Sequence, residues 1–215
     1  MRKVLFAAVL LFAGTPPSSA QIFYPEGNNE IAGTFGNTFI SNQNVLNLGL
    51  ANSALTFGTG YSFEVSYARI LRSADWADFS VEVPATFNPD EDVNSRANGV
   101  PEGYSSIFVT PAARIRFFPY VALSPWVSFG GGFGHFQAGS TLFLGGANSQ
   151  NRSVNTGVLE GGIGLDVRIP CTSVKRWKIR VEARDDWSGV PPLNVNTGKT
   201  RQHNYYVAGG MVYRF

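Results

Sequence analysis

The sequence predicts an all-β chain: an eight-stranded antiparallel up-and-down transmembrane β-barrel over residues 21–215. Three observations carry that reading. Eight segments alternate apolar with polar residues, their connections are alternately long and short, and aromatic residues gather at the segment ends. Composition agrees, because 24 glycines, 13% aromatic and only 15% charged residues suit many short strands better than a helical bundle.

Residues 1–20, "MRKVLFAAVLLFAGTPPSSA", read as a cleaved secretory signal peptide. Arg2 and Lys3 precede an apolar run from Val4 to Ala13, and Ser18, Ser19 and Ala20 form a small-residue cleavage site. The run is shorter than the roughly 20 residues a membrane helix needs. Cleavage after Ala20 would leave Gln21 first, with no cysteine to acylate, in an exported protein. The formal charge of +2 then falls to neutrality, 15 basic against 15 acidic residues, which argues against a nucleic-acid partner. Cys171, in the turn-like "IPCTSVK", is the only cysteine, so no internal disulfide forms, and its role is an incidental loop thiol. No later apolar run is long enough for a membrane helix, so entry into a bilayer would require strands.

The eight segments are 30–39, 60–71, 76–83, 104–118, 125–136, 155–169, 177–187 and 203–215. Brief connections at 72–75, 119–124 and 170–176 follow the second, fourth and sixth segments. Long ones at 40–59, 84–103, 137–154 and 188–202 follow the others and are rich in Asn, Gly, Ser, Asp and Pro. All long loops therefore fall at one end, the asymmetry of a bacterial outer-membrane barrel.

The two faces of each segment differ in kind. Tyr61, Phe63, Val65 and Tyr67 alternate with Ser62, Glu64 and Ser66; Trp177, Ile179, Val181 and Ala183 alternate with Lys178, Arg180, Glu182 and Arg184. A soluble barrel could bury the apolar set instead, but eight strands enclose little space and rows of aromatics would overfill it. Gly130, Gly132, Gly134, Gly162 and Gly164 all share the polar face, as a crowded interior requires. Phe108 breaks the pattern of its segment. Trp76, Tyr104, Phe117, Trp126, Trp177, Trp187, Tyr205 and Phe215 are expected to form the interfacial girdles. Because unpaired backbone is not tolerated in hydrocarbon, the last segment must close on the first.

Those features together resemble the small bacterial outer-membrane β-barrel family of OmpA-type, OmpX-type and opacity-type barrel domains. The resemblance spans the mature chain and is architectural. It implies outer-membrane lipid and lipopolysaccharide as surroundings and both termini in the periplasm. It also implies that Val207, Met211, Tyr213 and Phe215 form the C-terminal signal read by the barrel-assembly machinery, with Gly209 a weak member. The chain ends at Phe215, so no peptidoglycan-binding domain is expected.

The expected lumen network is Glu64, Asp78, Glu82, Arg114, Arg116, Glu160, Asp166, Arg168, Lys178, Arg180, Glu182 and Arg184. Six acids and six bases in a narrow lumen would pair and plug it, since buried charges need partners. The alternative is a narrow ion or solute pore. A lipid A-modifying enzyme is the other alternative, with His135, Ser140 and Glu160 or Asp185 as its candidate set, but their spacing is not specific. "GGGFGHF" lacks phosphate-loop spacing, and neither His135 nor His203 has a ligand partner at metal spacing. No enzyme activity, cofactor or metal is expected. The role expected is structural or in surface interaction, with any extracellular ligand of the long loops unknown.

Overall fold

The structure, a computed structural model, describes residues 27–46, 54–95, 97, 99–169 and 176–215. The signal-peptide segment and Cys171 lie outside the described residues.

Eleven strands form one hydrogen-bonded array: β1 Asn29–Ile40, β2 Gln43–Asn44, β3 Ala54–Phe57, β4 Gly60–Ser73, β5 Ala77–Ser95, β6 Gly103–Val109, β7 Ala112–Phe117, β8 Leu123–Ala138, β9 Ser153–Arg168, β10 Trp177–Ser188 and β11 Gln202–Arg214. Every pairing between them is antiparallel. β6 and β7 are one stave interrupted at Thr110–Pro111, where proline has no N–H to give the ladder. Both pieces keep a single register: Ala85 opposes Val109 and Glu82 opposes Ala112, while Phe133 opposes Val109 and Gly130 opposes Ala112. Counted as one, they complete an eight-stave barrel of β1, β4, β5, β6–β7, β8, β9, β10 and β11.

The barrel closes as the alternation requires. β11 pairs with β1 from Glu30 opposite Arg214 to Ile40 opposite Asn204. The backbones of Asn29 and Phe215 exchange hydrogen bonds of 3.0 and 2.9 Å, so the terminal rim has no loose edge.

Side chains divide by parity. Phe129, Leu71, Tyr61 and Ile163 stand on the outer wall with more than half their surface exposed, while Arg116, Arg180, Asp166 and Glu82 are fully buried within. This inverts a soluble core and makes the outer wall a band suited to lipid. Trp76, Trp177, Trp187, Tyr205 and Phe215 stand exposed near the strand ends, as a girdle requires.

Two aromatics expected in the girdle belong elsewhere. Trp126 points into the lumen and Tyr104 is buried at the long-loop end. Trp126 shares parity with Gly130, Gly132 and Gly134, so position near a strand end misled where parity did not. The interior tolerates the indole because Gly162 and Gly164 face it; a Cβ on Gly164 would lie 2.4 Å from the Trp126 ring.

The long loops are not merely solvated. β5 runs on to Ser95, where β3 pairs with it, and β3 in turn pairs with β2. Val45, Leu55, Val93, Ala97, Val100 and Leu193 from these segments pack with Tyr104, Phe108, Phe136 and Val158 of the staves. Phe136 contacts Tyr104 and Phe108 edge to face, at centroid distances of 5.6 and 5.5 Å. Phe108, which broke the alternation, faces inward here over Gly134. The result is an apolar cap across the long-loop mouth of the barrel.

Candidate functional site

The lumen below the cap holds a dense set of ionisable side chains, each aimed inward because its position shares parity with the inner face of its stave. Eleven of the twelve residues expected there are buried. Arg168 is the exception: it is half-buried near the short-turn end, where its guanidinium donates to the Pro119 carbonyl at 3.4 Å.

Arg184 of β10 is the hub. Its Nε lies 3.0 Å from Glu64, its Nη1 2.9 Å from Glu160, and its Nη2 3.2 Å from Glu182 and in contact with Glu82. Four carboxylates from β4, β5, β9 and β10 therefore converge on one guanidinium. Hydroxyls serve the acids further: Thr86 donates to Glu64 at 3.2 Å, Ser128 to Glu160 at 2.9 Å and Thr34 to Glu182 at 2.7 Å.

A second knot lies nearer the termini. Glu30 of β1 accepts from Arg114 at 2.5 Å and from Arg116 at 2.6 Å, with Lys178 Nζ 3.7 Å away. Asp166 takes a two-pronged contact from Arg180, 2.8 and 3.1 Å, and lies 3.3 Å from Arg116 Nε. Asp78 is held by Arg214 at 3.2 Å and faces Arg116 at 3.8 Å. Glu82 links the two knots by contacting both Arg114 and Arg184.

Trp126 sits between them. The guanidinium carbons of Arg114, Arg180 and Arg184 lie 5.8, 4.9 and 5.1 Å from its ring centroid, within cation–π range. Its Nε1–H donates to Asp166 at 3.2 Å.

No protein-family model matches the chain, and no curated protein matches it. Solved structures do. The outer membrane protein OprG from Pseudomonas aeruginosa is 13% identical, with 89% of this chain and 97% of that chain covered, at a TM-score of 0.52. Neisserial surface protein A is 13% identical, with 87% of this chain and 97% of that chain covered, at a TM-score of 0.51. The fold is that of the small outer-membrane β-barrels.

Within the barrel, sequence reasoning missed Glu30, Trp126, Asp186 and Arg214 as lumen groups. Parity carried the signal for each. Glu30 shares a face with Thr34, Asp186 with Glu182 and Arg184, and Arg214 with Asn204 and Tyr206. Counting these and Glu91, the buried charges among the described residues are nine acids and six bases, not six of each.

The His/Ser/acid set weighed for lipid modification is dispersed by the barrel. His135 contacts Asn155 at 2.7 Å, His203 contacts Asp185 at 2.7 Å, and Glu160 faces the lumen against Arg184 and Ser128. No group of three His, Cys, Asp or Glu able to hold a metal ion occurs among the described residues.

Proposed function

We propose that the chain resides in a bacterial outer membrane as a barrel with a structural or surface-interaction role, neither catalysing a reaction nor conducting solutes. The observation that carries this reading is Arg184 bound at once to Glu64, Glu82, Glu160 and Glu182. An ion crossing the lumen would have to break that knot and leave buried carboxylates uncompensated, at several kcal/mol. The apolar cap over the long-loop mouth adds a second barrier. Planar-bilayer recording of the refolded protein tests the reading: silence is expected, and stable unitary currents would overturn it in favour of a narrow pore.

In this reading residues 1–20 direct export, the termini face the periplasm and the long loops face outward. The surroundings are outer-membrane lipid and lipopolysaccharide. The barrel-assembly machinery would read Val207, Met211, Tyr213 and Phe215, whose side chains line the outer wall of the closing strand. Phe215→Ala should slow assembly in cells while the protein still refolds in detergent; unchanged assembly would remove that role.

A further inference from the structure

We propose that the long-loop half of the lumen binds a hard divalent cation of the calcium class, with the carboxylates of Asp186 and Glu160 as its charged ligands. The inference goes beyond the plugged-barrel reading and uses only the geometry of the lumen.

Charge is shared unevenly along the barrel. Among the described residues, the half nearer the termini sets Glu30, Asp78, Asp166 and the shared Glu82 against Arg114, Arg116, Lys178, Arg180 and Arg214, all of them buried. Beyond it Glu64, Glu160, Glu182 and Asp186 face Arg184 alone, with Glu91 beneath the cap. Arg184 is taken up by Glu64, Glu160 and Glu182, and no ion pair reaches Asp186 among the described residues. A buried carboxylate without a partner is costly, so this half is short of positive charge.

The unpartnered atoms point the same way. Buried side-chain oxygens on Gln43, Glu64, Glu91, Glu160 and Asp186 have no hydrogen-bond partner, and each is an acceptor. Two of them are neighbours. Asp186 stands directly opposite Glu160 across the β9–β10 ladder, and both side chains are buried in the lumen. Residues so placed hold their Cβ atoms about 5 Å apart. The free oxygens are Asp186 Oδ1 and Glu160 Oε2, because Glu160 Oε1 already accepts from Ser128 and Arg184. One ion at about 2.4 Å from each carboxylate bridges such a pair.

The atoms on offer select the class of ion. Neutral oxygens adjoin the pair: Ser128 Oγ lies 2.9 Å from Glu160, and Asn204 opposes Asp186 in register. The Asn204 amide is held there by donating to the Asp186 carbonyl at 2.7 Å and to the Ser188 hydroxyl at 2.9 Å. No histidine or cysteine is buried in the lumen among the described residues. An all-oxygen set suits calcium rather than metals that favour nitrogen or sulfur. Calcium's flexible shell accepts two carboxylates completed by amide and water oxygens, so a third acidic ligand is not required. The ion supplies positive charge where Arg184 alone supplies it otherwise.

The test is equilibrium dialysis of the barrel, refolded in maltoside micelles with calcium present, against a calcium series read by elemental mass spectrometry. A saturable site of about one calcium per chain is expected. Asp186→Asn, which keeps the side chain's shape, and Glu160→Gln should each weaken binding about tenfold or more, because affinity follows ligand charge. The Asp90→Asn/Asp92→Asn pair, at exposed outward positions, should leave it unchanged. Terbium in place of calcium should luminesce on indole excitation, since Trp126 lies beside Glu160: a Cβ on Gly162 would be 2.7 Å from Glu160 Oε1 and 3.3 Å from the Trp126 ring. A wild-type barrel that binds no calcium, or binding and terbium emission unchanged in Asp186→Asn, would overturn the proposal. Calcium lost in the Asp90/Asp92 double variant would overturn its assignment to the lumen. Heat-modified gel mobility reads folding separately, and the wild-type measurement decides if a variant fails to fold. Planar-bilayer currents bear on the plugged-barrel reading instead, so the two can fail independently.

Discussion

Glu30 of β1 and Arg114 of β7 stand 84 residues apart in sequence, on staves that share no backbone hydrogen bonds, and meet at 2.5 Å across the lumen. The pair is a strut spanning the barrel. Glu30 also serves Arg116 and lies near Lys178, so one carboxylate compensates three cations.

Removing it should therefore cost more than one contact. Glu30→Gln is expected to destabilise the barrel by about 3–5 kcal/mol, the scale of breaking a buried pair on one side. Adding Arg116→Met should recover part of that loss, because fewer buried cations then lack a partner. Urea unfolding in lipid vesicles reads both, and additive losses would contradict the strut.

Trp126 and Gly164 make a complementary pair. Gly164→Ala would drive a Cβ to 2.4 Å from the indole and should cost about 1–3 kcal/mol by overpacking. Trp126→Ala should cost about 3–5 kcal/mol by opening a cavity among the guanidinium groups. The double variant should be less damaged than the sum, because the new methyl no longer meets a ring. The same unfolding measurement decides, and strict additivity would deny the contact.

The division into lipid and lumen faces is open to a direct test. Val181 is 54% exposed on the outer wall, midway along β10 between its girdle residues. Val181→Arg should cost about 2–4 kcal/mol when the barrel folds into a bilayer, as a charge at the midplane does. In detergent micelles the loss should shrink. An equal loss in both media would argue against a lipid-facing Val181.

Glu91 supplies a pH dependence outside the membrane-spanning segments. Beyond Phe87 the outward positions of β5 become Asp90, Asp92 and Asn94, and Glu91 turns inward beneath the cap. Burial pushes its carboxyl up to about 7, with Asp90 and Asp92 adding to the rise and hydrogen bonds from Asn88 and the Gly60 backbone opposing it. The folded chain thus holds this proton more tightly than the unfolded chain does. Stability from this group is full below the ordinary carboxylate range, near 4.5, and is lost as pH rises to about 7. Hydrogen exchange of the cap between pH 5 and 8 should show faster opening at the higher pH, and Glu91→Gln should flatten the trend. A slope unchanged in Glu91→Gln would assign it to another group.

Much of this architecture was legible in the chain, because a strand has a period of two and its two surroundings differ. Alternation alone identified eight staves, separated lipid-facing Val181 from lumen-facing Arg180, and required β11 to meet β1. Strict use of parity would also have found Glu30, Trp126, Asp186 and Arg214. What parity does not encode is which inward group meets which. Arg184 reaches Glu82 across 102 residues and Arg116 reaches Glu30 across 86, contacts set by stave order, tilt and side-chain reach. Closure of the ring alone brings them within reach.

The loops divide the same way. Their polar composition announced surface segments, and their length placed them at one end. The burial of Val45, Leu55, Val93, Val100 and Leu193 against Tyr104 and Phe136 was decided only by the folded barrel. Those apolar residues are scattered among mostly polar neighbours in three separate loops. Only a closed mouth brings these three loops close enough to bury them together. By itself the sequence determined which face of each strand meets lipid and which meets the lumen. Tertiary structure decided how the lumen is filled and how its long-loop end is closed, because those contacts join residues that no local pattern relates.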